Sequence, residues 1–282
     1  MKRLGYYNGT FGEMEDIMIP MNDRAGYYGD GVYDATYSRN YKIYALDEHM
    51  DRFFNSAAQV QIQIPYSKQE IADLLNELVV KMDTGENLVY WQVSRGTAVR
   101  RHTFPDEGVQ PNLWITMIPK EVGDVNSKLK LTTLEDTRYF HCNIKTLNLL
   151  PNVLAAERAK QLGCHETIFH RNGRVTECAH SNVHMIRDGV FVTPPSDNLI
   201  LPGIARAHLM RACKALGYGV EERPFTLEEL LGADEVIVTA SGYLCNTACE
   251  VDGKAVGGRG GEMLKKMQDY VLDEFLQATN KD

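Results

Sequence analysis

The chain has 282 residues, 44% hydrophobic and 24% charged, a balance that excludes a disordered polymer and leaves room for one large domain or two smaller ones. Its 30 Lys and Arg against 38 Asp and Glu give a formal net charge of −8. That field repels nucleic acid and anionic bilayers, so no nucleic-acid or membrane partner is expected and small molecules are.

No stretch of about 18 uncharged apolar residues occurs, and nothing after Met1-Lys2-Arg3 reads as a signal segment. Six scattered cysteines (Cys142, Cys164, Cys178, Cys213, Cys245, Cys249) lack a CxxC pair and fit reduced thiols in a cytoplasm. His141-Cys142, Cys164-His165 and Cys178/His180/His184 offer metal-ligand chemistry without a zinc-finger or HExxH spacing, so no metal is expected.

The opening third reads as short strands and turns. Asp47 then starts a helix with the apolar stripe Met50, Phe53, Phe54 and Ala57. Ser67 and Glu70 form a capping box ahead of an amphipathic helix through Ile71, Leu74, Leu75, Leu78 and Val79. Strands follow at 88–94 and 113–118. The polar, breaker-rich run Pro119 to Ser127 suits a crossing between domains, placing an N-terminal domain at 1–119, a linker at 120–128 and a C-terminal domain at 129–282. Beyond it come a strand at 129–132 and a helix between Pro151 and Gly163. Next is a hairpin of 166–170 and 174–176 around Asn172-Gly173, then helices near 204–216, 226–232 and 262–277. The last turns Leu264, Met267, Val271 and Phe275 inward. The expected class is α+β.

Several segments could carry chemistry. Lys145 is a single cation in Asn143-Ile144-Lys145-Thr146-Leu147-Asn148-Leu149-Leu150. A desolvated amine there would suit Schiff-base chemistry, and a surface lysine beside a helix start is the plain alternative. Glu177 ends a strand before the small-residue turn to Ser181 and could hold a protonated ring nitrogen, with Ser181 and nearby backbone donors meeting an anion; a polar hairpin is the alternative. Leu201-Pro202-Gly203-Ile204-Ala205-Arg206 opens a helix with unpaired N–H groups suited to phosphate, although Gly and Pro also mark ordinary helix starts. Asp23 to Asp34 concentrates Gly and Tyr, as for tight bends that aim phenols into a cavity. Arg95 and Arg100-Arg101-His102 could hold a carboxylate or form a solvated charge run.

Taken in order, Asp23-Arg24…Gly29-Asp30-Gly31-Val32-Tyr33, Arg52, Lys145, Glu177…Ser181-Asn182, Thr193 and Leu201 to Arg206 resemble the class IV aminotransferases, pyridoxal-phosphate enzymes of fold type IV. The resemblance covers nearly the whole chain. Arg100-x-His102 and the run Ile144 to Leu150 are most similar to the branch of that class acting on D-amino acids. The resemblance implies a two-domain α+β fold, with a smaller N-terminal α/β domain, a larger C-terminal cofactor domain holding a pseudo-barrel sheet, and a homodimer.

It also implies roles. Lys145 would be the Schiff-base lysine and proton shuttle, and Glu177 the partner of the pyridine N–H. Arg52, the N–H groups of Ile204 and Ala205, and the Ser241 hydroxyl would bind phosphate. Tyr33, Arg100 and His102 would hold the substrate α-carboxylate. The reaction implied is ping-pong transfer of an amino group from a D-amino acid such as D-alanine to a 2-oxo acid such as 2-oxoglutarate. A branched-chain L-aminotransferase and an aminodeoxychorismate lyase are the alternatives within the fold. Ala205 stands where a threonine is frequent, shifting phosphate binding towards main chain; His180 replaces a small residue and would either narrow the pocket or add an acceptor near the ring; His184 is expected to be a satisfied core histidine.

Overall fold

The computed structural model describes residues 1–281, which divide into two compact units, one of residues 1–121, 144–148 and 276–281, the other of 122–143 and 149–275.

The first unit contains β1 (Leu4–Tyr7), β2 (Thr10–Glu13), α1 (Arg24–Tyr28), β3 (Gly31–Arg39), β4 (Lys42–Ile43), α2 (Leu46–Gln59), α3 (Lys68–Val79), β5 (Asn87–Ser94) and β6 (Asn112–Pro119). Its strands pair antiparallel throughout in the order β2-β1-β6-β5-β3-β4. Alternation on β5 sends Val89, Trp91 and Val93 to a core shared with Phe53 of α2 and Leu75 of α3. The Phe53 and Trp91 rings meet edge-on with centroids 6.1 Å apart, and emptying either position would cost about 3–5 kcal/mol.

The α3 capping box is present in both directions: Glu70 N donates to Ser67 Oγ and Ser67 N to the Glu70 carboxylate. The stripe on α2 is buried at Met50, Phe53 and Ala57, with Phe54 packed at the core's margin. This helix begins a residue before Asp47, after Ala45 in the left-handed region (φ 50) and without a side-chain cap; Asp47 and Glu48 instead place negative charge on its first turn. The helix α1 stands where only strands and turns were expected. Asp23 caps it by accepting from Ala25 N, and Gly29 (φ 61) ends it after five residues, too few to print a helical period.

The second unit contains β7 (Lys128–Glu135), α4 (Leu150–Gln161), β8 (Glu166–Arg171), β9 (Arg174–Cys178), β10 (Asn182–Arg187), β11 (Val190–Thr193), α5 (Ile204–Ala215), β12 (Gly219–Glu222), α6 (Leu227–Leu231), β13 (Glu235–Ala240), β14 (Tyr243–Val251), β15 (Lys254–Ala255) and most of α7 (Gly261–Ala278). Eight strands run β12-β11-β10-β13-β14-β7-β8-β9, and β15 pairs with β14. The pairs β11–β12, β14–β7 and β7–β8 are parallel, so β7-α4-β8 is a crossover unit. The hairpin β8–β9 turns on Asn172 (φ 49) and Gly173 (φ 80), the two positive angles a type I′ turn requires. Leu131, Ile168, Val183, Met185, Val236 and Val238 fill the core, and α7 buries the four expected residues Leu264, Met267, Val271 and Phe275. The fold is the expected two-part α+β arrangement. Among the described residues no helix is long and apolar enough to cross a membrane.

Candidate active site

In the first unit, 144–148 runs as an extended segment along the start of β3. Tyr33 N donates to Lys145 O (2.9 Å), Leu147 N to Gly31 O (3.1 Å), and Thr146 bridges Val32. Gly31 is needed for this approach, since a Cβ there would lie 2.7 Å from Leu147 Cδ1 and 2.5 Å from Val93 O. Lys145 N further donates to Ser56 Oγ on α2 (3.2 Å). The lysine is therefore clamped by its backbone, half-buried, with Nζ 4.3 Å from the centre of the Tyr33 ring. That is not the loose surface position of the plain alternative. Tyr33 stacks on Tyr90 (centroids 5.3 Å), and burial, then Tyr33, raise the Tyr90 phenol.

Arg52 projects from α2 into a buried fork with Asp34 of β3, Nε to Oδ2 at 2.9 Å and Nη2 to Oδ1 at 2.7 Å. His49, one turn earlier, places Nδ1 2.7 Å from the same Oδ1. Burial alone would raise the Asp34 carboxyl, yet Arg52 and His49 outweigh it and hold the group well below the usual carboxylate range. Burial pushes the His49 imidazole down against the pull of Asp34, helped by the charges of Arg52 and Lys145. A neutral ring donating from Nδ1 satisfies both observations. Asp34 and His49 were not legible as site residues, because the carboxylate that joins His49 to Arg52 comes from β3, 18 positions before Arg52.

Arg100 and His102 lie in the loop after β5, exposed. They come together on a different residue, Tyr28, with the Arg100 guanidinium 5.3 Å and the His102 ring 5.4 Å from its centroid.

In the second unit Glu177 sits at the end of β9, nearly enclosed. Arg138 Nη1 donates to Oε1 in a close ion pair; Asn182 Nδ2 (3.0 Å) and Leu201 N (2.9 Å) donate to Oε2. Arg138 is itself forked onto Asp136 (Nε to Oδ1 and Nη2 to Oδ2, both 2.9 Å) and lies over Phe169. Burial would lower this guanidinium, but Glu177 and Asp136 raise it above its ordinary range. The sequence reading missed Arg138 and Asp136; the only local hint was the Asp-x-Arg spacing, in which Arg138 N donates to Asp136 Oδ1 (3.0 Å).

Ser181 is buried and donates its hydroxyl to Oε2 of Glu166 (2.9 Å), so its proton is directed at a carboxylate. Glu166, fully buried, also accepts from Thr167 N (2.9 Å), Ala179 N (3.2 Å) and His180 N (3.3 Å). His180 Nδ1 lies 2.7 Å from Glu166 Oε2, with the imidazole half in solvent and its ring 6.1 Å from that of Tyr243. His184 is the core histidine expected: Nδ1 meets Thr193 Oγ1 and Nε2 meets Thr239 Oγ1, both at 2.9 Å, and burial, then Arg206, push it well down.

The entry to α5 fits an anion. Gly203 caps the helix with no side-chain hydrogen bond, and the first intrahelical bond runs from Ala207 N to Gly203 O, leaving the N–H groups of Ile204 and Ala205 outside the helical ladder. A Cβ on Gly203 would lie 2.0 Å from Asn182 Oδ1, so only glycine lets Asn182 brace both Leu201 O and Glu177. Arg206 is spent elsewhere, on Thr193, Pro194 O and Glu222. Ser241 occupies the turn between β13 and β14. Within the second unit, a carboxylate locked by a guanidinium can accept from a protonated ring nitrogen, and an uncapped helix start can donate to an anion; within the first, the clamped Lys145 presents an amine.

The chain matches the family described as amino-transferase class IV over residues 31–248. It is 38% identical to a D-alanine aminotransferase of Listeria monocytogenes over 96% of both chains and 34% identical to one of Bacillus licheniformis over 98% of both. A branched-chain amino acid aminotransferase of Escherichia coli superposes with a TM-score of 0.88 at 24% identity, covering 100% of this chain and 97% of that one, a likeness of fold. The chain belongs to the class IV aminotransferases, enzymes that depend on pyridoxal phosphate.

Proposed function

We propose that this aminotransferase moves the amino group of a D-amino acid, D-alanine among them, to a 2-oxo acid such as 2-oxoglutarate by a ping-pong exchange. The observation that carries the D-specific reading is the 38% identity to a D-alanine aminotransferase along nearly the whole of both chains. The branched-chain likeness is one of fold at 24% identity.

When bound, pyridoxal phosphate supplies an electrophilic carbon for the amine and a ring that takes up the electrons of the broken Cα–H bond. The chain's residues do the rest. Lys145 would hold the cofactor through Nζ, and the same amine would serve as the base and acid that moves the substrate's proton. Glu177 accepts the pyridine N–H, its position set by Arg138, Asn182 and Leu201 N. Arg52, oriented by Asp34, and the main-chain N–H groups of Ile204 and Ala205 hold the phosphate, with Ser241 as a further donor. Ser181 contributes by fixing the turn after Glu177 through Glu166. Tyr33, Arg100 and His102 bind the α-carboxylate and so decide which face of the substrate meets Lys145.

We further propose a homodimer. Leu150, Val153 and Leu154 share one face of α4 and are each at least 60% exposed, an apolar stripe that a second copy would cover. Six free thiols fit a reducing cytoplasm. The test is the absorbance of the cofactor-loaded enzyme mixed separately with D-alanine and L-leucine, with Lys145→Ala as control. D-alanine alone is expected to bleach the visible band, and the variant to lack it. A response to L-leucine alone would install the branched-chain reading instead.

A further inference from the structure

The loop after β5 is tied to the segment around α1 by its backbone: Arg24 N donates to Gly96 O (3.0 Å), Ala98 N to Asn22 O (3.2 Å), and Arg24 Nη1 to Arg101 O (2.9 Å). Arg24 is buried and held to Asp30 through Nε at 2.7 Å; Arg95 shares that carboxylate at 3.0 Å. On either side of the Arg101 anchor, Arg100 and His102 extend into solvent. Among the described residues neither makes a hydrogen bond or ion pair. What they touch is the ring of Tyr28, on which the Arg24 guanidinium (4.9 Å), the Arg100 guanidinium (5.3 Å) and the His102 ring (5.4 Å) converge. The Tyr28 hydroxyl is buried and has no hydrogen-bond partner, so the ring, not the phenol oxygen, makes these contacts.

We propose that Tyr28 is a positioning residue for the substrate carboxylate, holding Arg100 and His102 in their binding arrangement through its π-face. This rests on the reading of Arg100 and His102 as carboxylate ligands. An arginine otherwise without partners samples many rotamers, and ordering it when substrate arrives weakens binding. A ring fixed by Arg24 and Asp30 at one side gives the free guanidinium a preferred seat, an attraction strongest where solvent is partly excluded. Both the amino donor and the oxo acid carry the α-carboxylate, so both depend on that seat.

The experiment is steady-state kinetics of the cofactor-loaded enzyme with D-alanine and 2-oxoglutarate, for Tyr28→Phe, Tyr28→Leu, Arg100→Ala and the Tyr28→Leu/Arg100→Ala double variant. Tyr28→Leu is expected to raise both KM values roughly three- to thirtyfold with kcat within about twofold. Tyr28→Phe, which keeps the ring and drops the idle hydroxyl, is expected to hold both KM values. In the Arg100→Ala background Tyr28→Leu should add little, because the contact it breaks is already gone. A Tyr28→Leu enzyme with parental KM, or one whose loss is the same with and without Arg100, overturns the inference. A fall in kcat or cofactor content at unchanged KM does so too, by assigning Tyr28 a merely structural role. An Arg100→Ala enzyme with parental KM refutes instead the carboxylate reading beneath it. Should Tyr28→Leu not fold, Tyr28→Met fills the same space without a π-face and is read by the same criteria.

Discussion

Replacing Arg138 with methionine removes the cation shared by two buried carboxylates, Asp136 and Glu177, whose residues are each 6% exposed. Breaking a buried ion pair from one side costs about 3–5 kcal/mol, because the partner charge is stranded. Here the lower value applies: Arg171 remains on Asp136 at 3.2 Å, and Glu177 keeps Asn182 and Leu201 N. At about 2–4 °C per kcal/mol for a domain of this size, a loss of about 3 kcal/mol lowers Tm by roughly 6–12 °C. The sign of the pH dependence follows from Asp136. Burial would raise its carboxyl, but Arg138, then Arg171, reverse this and hold it below its ordinary value. A depressed carboxyl stabilises the fold above its unfolded pKa of about 4 and ceases to do so as pH falls through the folded one. The deficit of the variant should therefore be full at about pH 8 and narrow only below about pH 4, measurably by about pH 3. Thermal melts of parent and variant at saturating cofactor, run at about pH 8 and about pH 3, measure this. A Tm within about 2 °C of the parent, or an equal deficit at both pH values, would refute the reasoning.

Gly203→Ala should push Asn182 off Glu177 and Leu201 O, at an overpacking cost of about 1–3 kcal/mol, and weaken cofactor retention during dialysis; parental retention would show that the 2.0 Å approach relaxes harmlessly. His184 is pushed well below its ordinary 6.5 by burial, so the unfolded chain takes up protons first and stability falls as pH drops below about 6.5. His184→Gln should flatten the slope of unfolding free energy between about pH 5 and 6.5 in urea titrations, and an unchanged slope would place that proton uptake elsewhere.

What could be read from the sequence was whatever is encoded within a few residues. The Ser67/Glu70 box and the Asn172-Gly173 turn each complete their geometry inside four residues, and the α7 stripe repeats often enough to be seen. Five-residue α1 offers no period, and the left-handed Ala45 before α2 has no compositional mark. Site residues divide in the same way. Lys145 and Glu177 sit in distinctive local strings, whereas what orients the candidates is set by distant pairs: Asp34 with Arg52 across 18 positions, Arg138 with Glu177 across 39. A sequence names such charges without saying which faces which, and pairing is what determines their protonation.

The turn from Ala179 to Ser181 is fastened to Glu166 by two main-chain amides and the serine hydroxyl, while the imidazole of His180 stands half outside. The imidazole also reaches that carboxylate, Nδ1 to Oε2 at 2.7 Å, so exchanging residue 180 removes one tie and leaves the two amides and the serine hydroxyl in place. Residue 180 therefore sets the polarity on the solvent side of the turn that follows Glu177, while the backbone of that turn keeps three anchors of its own on one buried carboxylate.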